Sequence, residues 1–159
     1  MDANPITIAL ARATAKKYNL NDALVCAIVE QESGWDTNAW RYEPAFYERY
    51  IVPLNLPDAE EARQRSTSWG LMQVMGEVAR EFGYVGELTD LMCQAVGLDW
   101  GCKVFAKKLE RAHGDTYKAL LAWNGGGNPL YANQVTDRID RYVVPPRYPN
   151  WGDESVATD

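Results

Sequence analysis

Apolar residues recur along most of the chain at the three- and four-residue spacing of an amphipathic helix, and short polar segments interrupt this pattern. Asn4 followed by Pro5 is typical of a helix start, because asparagine caps the backbone and proline fits the first turn. Either Asn21 or Asp22 caps the second helix. The predicted helices cover residues 6–18, 22–33, 44–50, 58–65, 71–82, 94–112, 116–123 and 129–142.

Irregular segments separate these helices. Residues 35–68 follow no single period, residues 66–70 predict a turn or a short strand, and the glycine-rich residues 124–128 predict a tight loop. The sequence shows no internal repeat and no linker. We therefore expect a single, mainly α domain over residues 1–143, with at most a small β-hairpin region, and a Pro-rich, acidic tail over residues 144–159.

Composition and charge narrow the range of functions. The chain has 159 residues, of which 47% are hydrophobic and 24% charged, as in one globular domain. Acidic residues outnumber basic ones by 22 to 16, and no stripe of Lys or Arg offsets the net charge of −6, so we expect no nucleic-acid partner. No apolar run reaches the roughly 18 residues of a membrane span. The first residues show no secretory signal.

Metal and thiol chemistry have little support in the sequence. His113 is the single histidine, which excludes a multi-histidine zinc site, and no carboxylates are grouped at ligand spacing, so we expect neither a metal nor another cofactor. Cys26 lies in an apolar helical run, whereas Cys93 and Cys102 are either reduced thiols, which we favour, or a disulfide pair. A cysteine peptidase with His113 as base is a weaker alternative because no cysteine has an evident nucleophile setting.

Glu32 is the strongest candidate for a catalytic residue. It follows Val25, Ile28 and Val29 at intervals of seven, four and three, so it continues the buried stripe of the second helix. Burial and the negative end of the helix dipole both disfavour the anion and raise the pKa of the carboxyl group, as a general acid requires. The alternative is that Glu32 turns outward or caps a neighbouring backbone group. Glu30 lies off the stripe, and we expect it to be a solvated surface charge.

Three further motifs place polar side chains at unusual positions. Residues 68–73, Ser-Trp-Gly-Leu-Met-Gln, carry an amide inside an apolar run. Residues 122–126, Ala-Trp-Asn-Gly-Gly, carry an amide at a helix end beside a flexible loop, and Tyr131 follows shortly after. Each motif alone is weak evidence, because a buried amide is more often a satisfied structural group.

Taken in this order, the motifs resemble the catalytic domain of the soluble lytic transglycosylases, a family with a lysozyme-like fold related to goose-type lysozyme. The resemblance runs from about residue 22 to residue 135. The segments that carry it are Glu32-Ser33-Gly34-Trp35, Gly70-Leu71-Met72-Gln73-Val74-Met75, the altered Ala122-Trp123-Asn124-Gly125-Gly126, and Tyr131 followed by Val135.

The resemblance implies cleavage of the β-1,4 bond between N-acetylmuramic acid and N-acetylglucosamine in peptidoglycan. It implies that Glu32 protonates the leaving oxygen and then acts as base. The substrate-binding residues that it implies are Ser33, Trp69, Met72, Gln73, Trp123, Asn124 and Tyr131. Of these, Trp69 and Met72 would line the groove. We expect glycan strands as the partner and a monomeric protein.

The chain departs from the family pattern in two places. Trp123 replaces the usual Tyr, so a hydroxyl is lost while a stacking face is kept. The segment between the first two motifs is longer than in compact members of the family. It contains an aromatic cluster, Phe46, Tyr47 and Tyr50.

A second carboxylate would decide between two reaction types, because an inverting hydrolase requires one to activate water. Glu43 and Asp36 are the candidates. Glu43 has structural alternatives: it pairs with Arg41 or Arg49, or it caps the helix that begins at Pro44. For Asp36 we favour a structural role, and for Glu43 both roles stay open.

We expect a lytic transglycosylase that forms 1,6-anhydro products. A hydrolytic goose-type muramidase acting on the same bond is the alternative, followed by a non-catalytic peptidoglycan-binding module. We expect it to act at the cell wall or in the periplasm. The sequence pI is about 4.8, so an anionic cell wall would repel a free enzyme. This favours a delivery partner or a tether. Delivery by a phage or a secretion system, or as a domain of a longer protein, would fit a chain with no visible signal.

Overall fold

The computed structural model describes residues 3–145, and this part of the chain is mainly helical. The α-helices are α1 (Pro5–Lys17), α2 (Asp22–Ser33), α3 (Pro44–Phe46), α4 (Ala59–Arg65), α5 (Gly76–Glu81), α6 (Gln94–Arg111), α7 (Thr116–Asn124) and α8 (Tyr131–Ile139). A π-helical turn covers Tyr47–Ile51, and 3₁₀ turns cover Val52–Leu54, Leu88–Met92 and Asp140–Tyr142. The mainly α fold expected from the helical periodicity is confirmed.

Helix α2 is the buried centre of the domain. Residues 23–29 are all buried, and the helix packs against both α1 and α8. Of the two candidate caps, Asn21 and Asp22, the structure shows Asn21 in this role, since its side chain accepts from the Leu24 N–H at 3.0 Å. Gly34 ends the helix in the left-handed conformation, with φ 57°. The last turn of α2 therefore carries Glu32 out of the core to a half-buried position.

A three-stranded antiparallel sheet has the strand order β1-β2-β3. The strands are β1 (Trp40–Tyr42), β2 (Thr67–Trp69) and β3 (Val74–Met75). Trp69 in the middle strand lies opposite Trp40 of β1 and Val74 of β3. The turn or strand expected over residues 66–70 contains β2. Strands β1 and β3 were not predicted, because segments of two or three residues are too short to show an alternating pattern.

The helix expected over residues 71–82 is wrong in its first part. Gly70 and Gln73 both adopt the left-handed backbone conformation, with φ 69° and 49°, so the chain turns there and enters β3 before α5 begins. Leu71 and Met72, whose apolar character suggested a helix, are buried at 1% and 0% exposure. Their burial reflects a turn packed into the core and not a helical stripe.

The remaining elements lie close to their expected limits, with two exceptions. The helix expected over residues 44–50 is divided into α3 and the π-helical turn, and the helix expected from Pro129 begins at Tyr131. Of the expected C-terminal tail, residues 146–159 lie outside the described part of the chain. Among the helices of residues 3–145, none combines the length and the apolar character that crossing a membrane requires.

The three cysteines are free thiols in the described structure, so Cys93 and Cys102 do not pair. Cys26 and Cys102 are buried, and Cys93 is exposed. Burial raises the pKa of the Cys26 thiol to about 11 and that of Cys102 to about 12. Because the thiolate is the nucleophilic form, neither buried cysteine suits a peptidase.

Candidate active site

Two hydrogen-bond donors converge on the carboxyl group of Glu32. Tyr131 donates from its hydroxyl to Oε1 at 2.5 Å, and Trp123 donates from Nε1 to the same oxygen at 3.0 Å. Trp123 lies in the last turn of α7 and Tyr131 begins α8, so the connection between these helices brings both donors to the end of α2. Trp123 therefore supplies a donor as well as a ring face, which corrects the expectation that only a stacking face remains at this position.

The pKa of Glu32 is raised, and burial of the carboxyl group is the largest cause. The hydrogen bonds from Tyr131 and Trp123 and the charge of Arg41 lower this pKa, because each of them favours the anion. Burial and the neighbouring Glu32 raise the pKa of the Tyr131 hydroxyl, which therefore stays protonated and remains a donor. The site holds an acid that stays protonated at higher pH than an ordinary glutamate, and it also stabilises the anion that remains once the proton leaves.

Glu32 faces a cleft of about 760 Å³, within the roughly 300–1,000 Å³ typical of ligand pockets. The lining comes from the end of α2, from the segment running from β1 into the π-helical turn, from β3, and from α6 to α8. Its charged members are Glu32, Arg41, Glu43 and Lys108. Burial lowers the pKa of Lys108. Two cations and two acids in a lining that also carries amides and aromatic rings suit an uncharged polar ligand such as a sugar.

Gln73 lines the cleft, as expected from its motif. Its Nε2 donates to the carbonyl of Gly70 at 2.9 Å and to that of Ala39 at 3.1 Å. The amide nitrogen thus closes the turn between β2 and β3 and ties it to the residue before β1. This use of the side chain accompanies the left-handed backbone of Gln73 and was not evident from the sequence.

Asn124 ends α7 and also lies in the cleft lining. In the amide orientation that satisfies its neighbours, Oδ1 accepts from the backbone N–H groups of Asn128 at 2.7 Å and Gly127 at 3.1 Å. Gly125 and Gly126 have φ values of 71° and 82°, which favour glycine. The expected tight loop is confirmed, and Asn124 closes it.

Three residues expected to contact the sugar lie outside the cleft lining. Met72 is completely buried, and a Cβ added to Gly101 of α6 would lie 2.4 Å from its Sδ. Trp69 is 7% exposed, and its Nε1 donates to a backbone carbonyl of α4 at 3.1 Å. Ser33 Oγ donates to Leu71 O at 2.8 Å. The groove-lining role expected for Trp69 and Met72 is therefore wrong, and all three residues hold the turn and the sheet against their helical neighbours.

Glu43 lies in the cleft lining and forms an ion pair with Arg41. It precedes α3 without a side-chain cap hydrogen bond, so the structure selects the pairing with Arg41 over the helix-capping alternative. Asp36 accepts from the Asn38 N–H at 2.9 Å and stabilises a turn. Among residues 3–145, no group of three His, Cys, Asp or Glu side chains is placed to hold a metal ion.

Glu30, expected to be a solvated surface charge, belongs instead to a polar network. It accepts from the hydroxyl of Tyr142 at 2.7 Å, lies 3.6 Å from Arg138 Nε and pairs with Arg141. Tyr142 in turn accepts from Trp35 Nε1 at 2.9 Å. The network joins the last turn of α2 to the segment after α8. No sequence signal marks it, because the hydroxyl partner lies 112 residues away along the chain.

An amide network beside Glu32 was also missed from the sequence. Gln31 Nε2 and Asn128 Nδ2 both donate to Gln134 Oε1, at 3.2 Å and 2.8 Å. Gln31 and Asn128 line the cleft. The network links α2, α8 and the loop before α8. The amides are visible in the sequence, but only their positions in the fold show that they act together.

The domain is mainly helical with a small antiparallel sheet, and the end of a buried helix presents a protonatable glutamate to a cleft. These are the features expected of a lysozyme-like protein. The family model of the Transglycosylase SLT domain matches residues 9–140, and the chain belongs to this family. The expected membership is confirmed. Membership implies peptidoglycan as the substrate and, at the level of the family, lytic transglycosylase activity. No solved structure gives a significant match to the chain.

Proposed function

We propose that this protein cleaves the β-1,4 bond between N-acetylmuramic acid and N-acetylglucosamine as a lytic transglycosylase, with Glu32 as both acid and base. The observation that carries the proposal is the setting of Glu32: a partly buried carboxyl group in a cleft, with two donors on one of its oxygens. A group that must first give up a proton and then take one back requires both features.

In the first step, Glu32 donates its proton to the oxygen that joins the two sugars. Tyr131 and Trp123 both bond Oε1, which leaves Oε2 to carry the proton. The bond between C1 of muramic acid and the bridging oxygen breaks, and the N-acetylglucosamine side leaves as an alcohol. As the carboxylate forms, the two donors stabilise its charge.

In the second step, the positive charge at C1 is relieved within the substrate. The acetamido oxygen of the muramic acid bonds to C1, and the 6-hydroxyl oxygen then attacks C1 and displaces it. The 6-hydroxyl proton passes to Glu32. Glu32 ends as it began, no water is consumed, and the product carries a 1,6-anhydro bridge.

The second candidate is a hydrolytic muramidase, and the presence of Glu43 in the same cleft favours it. A hydrolase would use this carboxylate to activate water. The ion pair with Arg41 supports a structural role instead, because it engages the Glu43 carboxylate with a guanidinium. We therefore favour the transglycosylase.

Substrate contacts are proposed for the polar residues of the lining. Gln73 uses its amide nitrogen within the protein, so its amide oxygen is the group proposed to meet the sugar. Asn124 is proposed to bound the cleft at the end of α7. Ser33 and Tyr131 act through their neighbours: Ser33 holds the Leu71 carbonyl beside α2, and Tyr131 is only 3% exposed. The catalytic unit is proposed to be a monomer and to comprise residues 1–143, with residues 144–159 as an appended tail.

Solubilisation of purified peptidoglycan tests the role of Glu32. The Glu32→Gln variant should keep the fold, because an amide oxygen accepts the same two hydrogen bonds, and should release no soluble glycan. Glu110→Gln is the matched control, since Glu110 is 68% exposed and its one ion pair among the described residues is with Lys107. Release by Glu32→Gln near the wild-type rate would contradict the proposal.

A further inference from the structure

An aromatic pair lies in the cleft on a segment that the proposed reaction does not use. Phe46 and Tyr50 both line the cleft, and their ring centroids are 4.9 Å apart at an interplanar angle of 46°. They are four residues apart, at the junction of α3 and the π-helical turn. Tyr50 keeps 49% of its surface exposed, which is high for a large aromatic side chain inside a cleft.

The segment that carries this pair is anchored to the core. Ile51, next to Tyr50, is 1% exposed, and the π-helical turn packs against α4. Arg49 lies with its guanidinium 5.2 Å from the centre of the Tyr50 ring. A π-helical turn interrupts the regular helix at this point, and such turns are frequent at functional sites. An aromatic ring that is fixed before a ligand arrives loses little conformational entropy on binding.

The chemistry of these rings and their surroundings suits a sugar. One face of a pyranose ring presents C–H groups, and an aromatic face offers an apolar surface for them. The hydroxyl and amide groups at the rim of the sugar require polar partners, and Arg41, Glu43 and Gln73 lie in the same lining. The same cleft contains Glu32, so a bound strand that reaches the acid is available to the pair.

We propose that Phe46 and Tyr50 form a stacking subsite for one N-acetylated sugar ring of the glycan strand that reaches Glu32. This subsite rests on the proposed function, since it takes the same strand. Its contribution is affinity for the glycan strand.

The test uses the full chain with Glu32→Gln, which binds without turnover, and purified glycan strands as the probe. Adding Tyr50→Ala should weaken binding by about tenfold, as expected for loss of an aromatic anchor. Tyr50→Phe and Tyr50→Trp should bind as the parent does, because the ring face is kept. Tyr117→Ala is the matched control: Tyr117 is 48% exposed, lies on α7 and is outside the cleft lining, so its loss should change nothing.

Activity provides a second readout in the protein that retains Glu32. Tyr50→Ala should raise KM for glycan strands with a smaller effect on kcat, and circular dichroism should show an unchanged fold because the side chain is half exposed.

Three results would overturn the subsite. If Tyr50→Ala bound glycan strands as well as Tyr117→Ala does, the pair would not contact the sugar, and its exposed surface would suit another partner, such as a protein. Binding by Tyr50→Phe as weak as that by Tyr50→Ala would assign the effect to the hydroxyl. If the Glu32→Gln parent bound no glycan strand, the strand would not be a ligand of this cleft. The proposed function fails differently: a chain that retains Glu32 would then cleave no strand or release products with a free reducing end, whichever residue stands at position 50.

Discussion

Tyr131 donates its hydroxyl proton to Oε1 of Glu32 although 99 residues separate the two in the chain. The contact exists because α8 packs against α2, so the setting of the acid depends on the docking of the last α-helix. Trp123 reaches the same oxygen from the end of α7. Burial raises the affinity of Glu32 for its proton, and two helices that carry no charged catalytic group of their own lower it.

Removing either donor should slow the acid step. Tyr131→Phe and Trp123→Phe each delete one hydrogen bond to the carboxylate and keep an aromatic ring. For a charged acceptor we expect a loss of roughly 1.5–3 kcal/mol, or a ten- to hundredfold fall in kcat. Steady-state kinetics on purified glycan strands measures it. A change confined to KM would contradict this role, because it would indicate substrate binding alone.

The same variants should shift the pH dependence of the reaction. Glu32 must be protonated to act, so activity falls as pH rises through its pKa. The hydrogen bonds from Tyr131 and Trp123 lower that pKa, and their removal raises it further. The alkaline limb of the kcat/KM profile should therefore move to higher pH in both variants. A shift to lower pH would show that the donors do not act on the Glu32 anion.

The raised pKa of Glu32 also predicts a cost in stability. A carboxyl group whose pKa is higher in the folded than in the unfolded protein destabilises the fold once it ionises. The ionisation has no effect on stability below the ordinary value of 4.5, lowers stability as pH rises from 4.5 to the pKa of the folded state, and adds no further loss above it. Thermal unfolding of Glu32→Gln should thus occur at higher temperature than that of the wild type at pH 7, with the difference vanishing near pH 4. An equal difference at both pH values would exclude ionisation as its cause.

Gly70 fixes the turn that carries Gln73. It has φ 69°, and a Cβ there would lie 2.4 Å from Leu91 O, so Gly70→Ala combines backbone strain with a clash against backbone. We expect a loss of about 3 kcal/mol in unfolding free energy. Gly83→Ala is the control: φ is 94° and, apart from its chain neighbours, no atom of residues 3–145 lies within 4 Å of the added Cβ, so only the strain of about 1 kcal/mol remains. Denaturant unfolding measures both, and equal losses would show that the clash is relieved.

The parts of the fold that sequence could predict are those in which local pattern and tertiary packing agree. Helices α1, α2, α6 and α7 carry apolar residues at helical spacing and start or stop signals, and they form close to the predicted limits. The turn at residues 70–73 was misassigned because consecutive apolar residues also occur where a turn is packed into the core. The left-handed backbone of Gln73 is imposed by that packing and has no local signature.

The candidate site, like the fold, could be predicted from the sequence only in part. The buried stripe of the second helix singled out Glu32, and the motifs singled out Gln73 and Asn124. All three residues lie in the cleft lining. Trp69 and Met72 did not, because adjacent residues of one motif face different sides of a turn. The donor role of Trp123 depends on how α7 approaches α2, which residue order alone does not specify.

Mutation of Glu43 distinguishes the transglycosylase from the hydrolase. Since Arg41 engages its carboxylate and the proposed reaction needs no second base, Glu43→Gln should lower kcat by a few-fold at most. Arg41→Gln, which also breaks the ion pair, serves as the comparison. Activity of Glu43→Gln as low as that of Glu32→Gln would identify Glu43 as the base of a hydrolase.

The source of the oxygen on the muramic acid end tests the central claim most directly. Purified peptidoglycan is digested in water enriched in oxygen-18, and the masses of the products are measured by mass spectrometry. A transglycosylase that uses the 6-hydroxyl of its substrate gives muramyl ends that are one water lighter, lack a reducing end and contain no label. Products with a free reducing end that carries oxygen-18 would contradict the dual role of Glu32 and establish a muramidase.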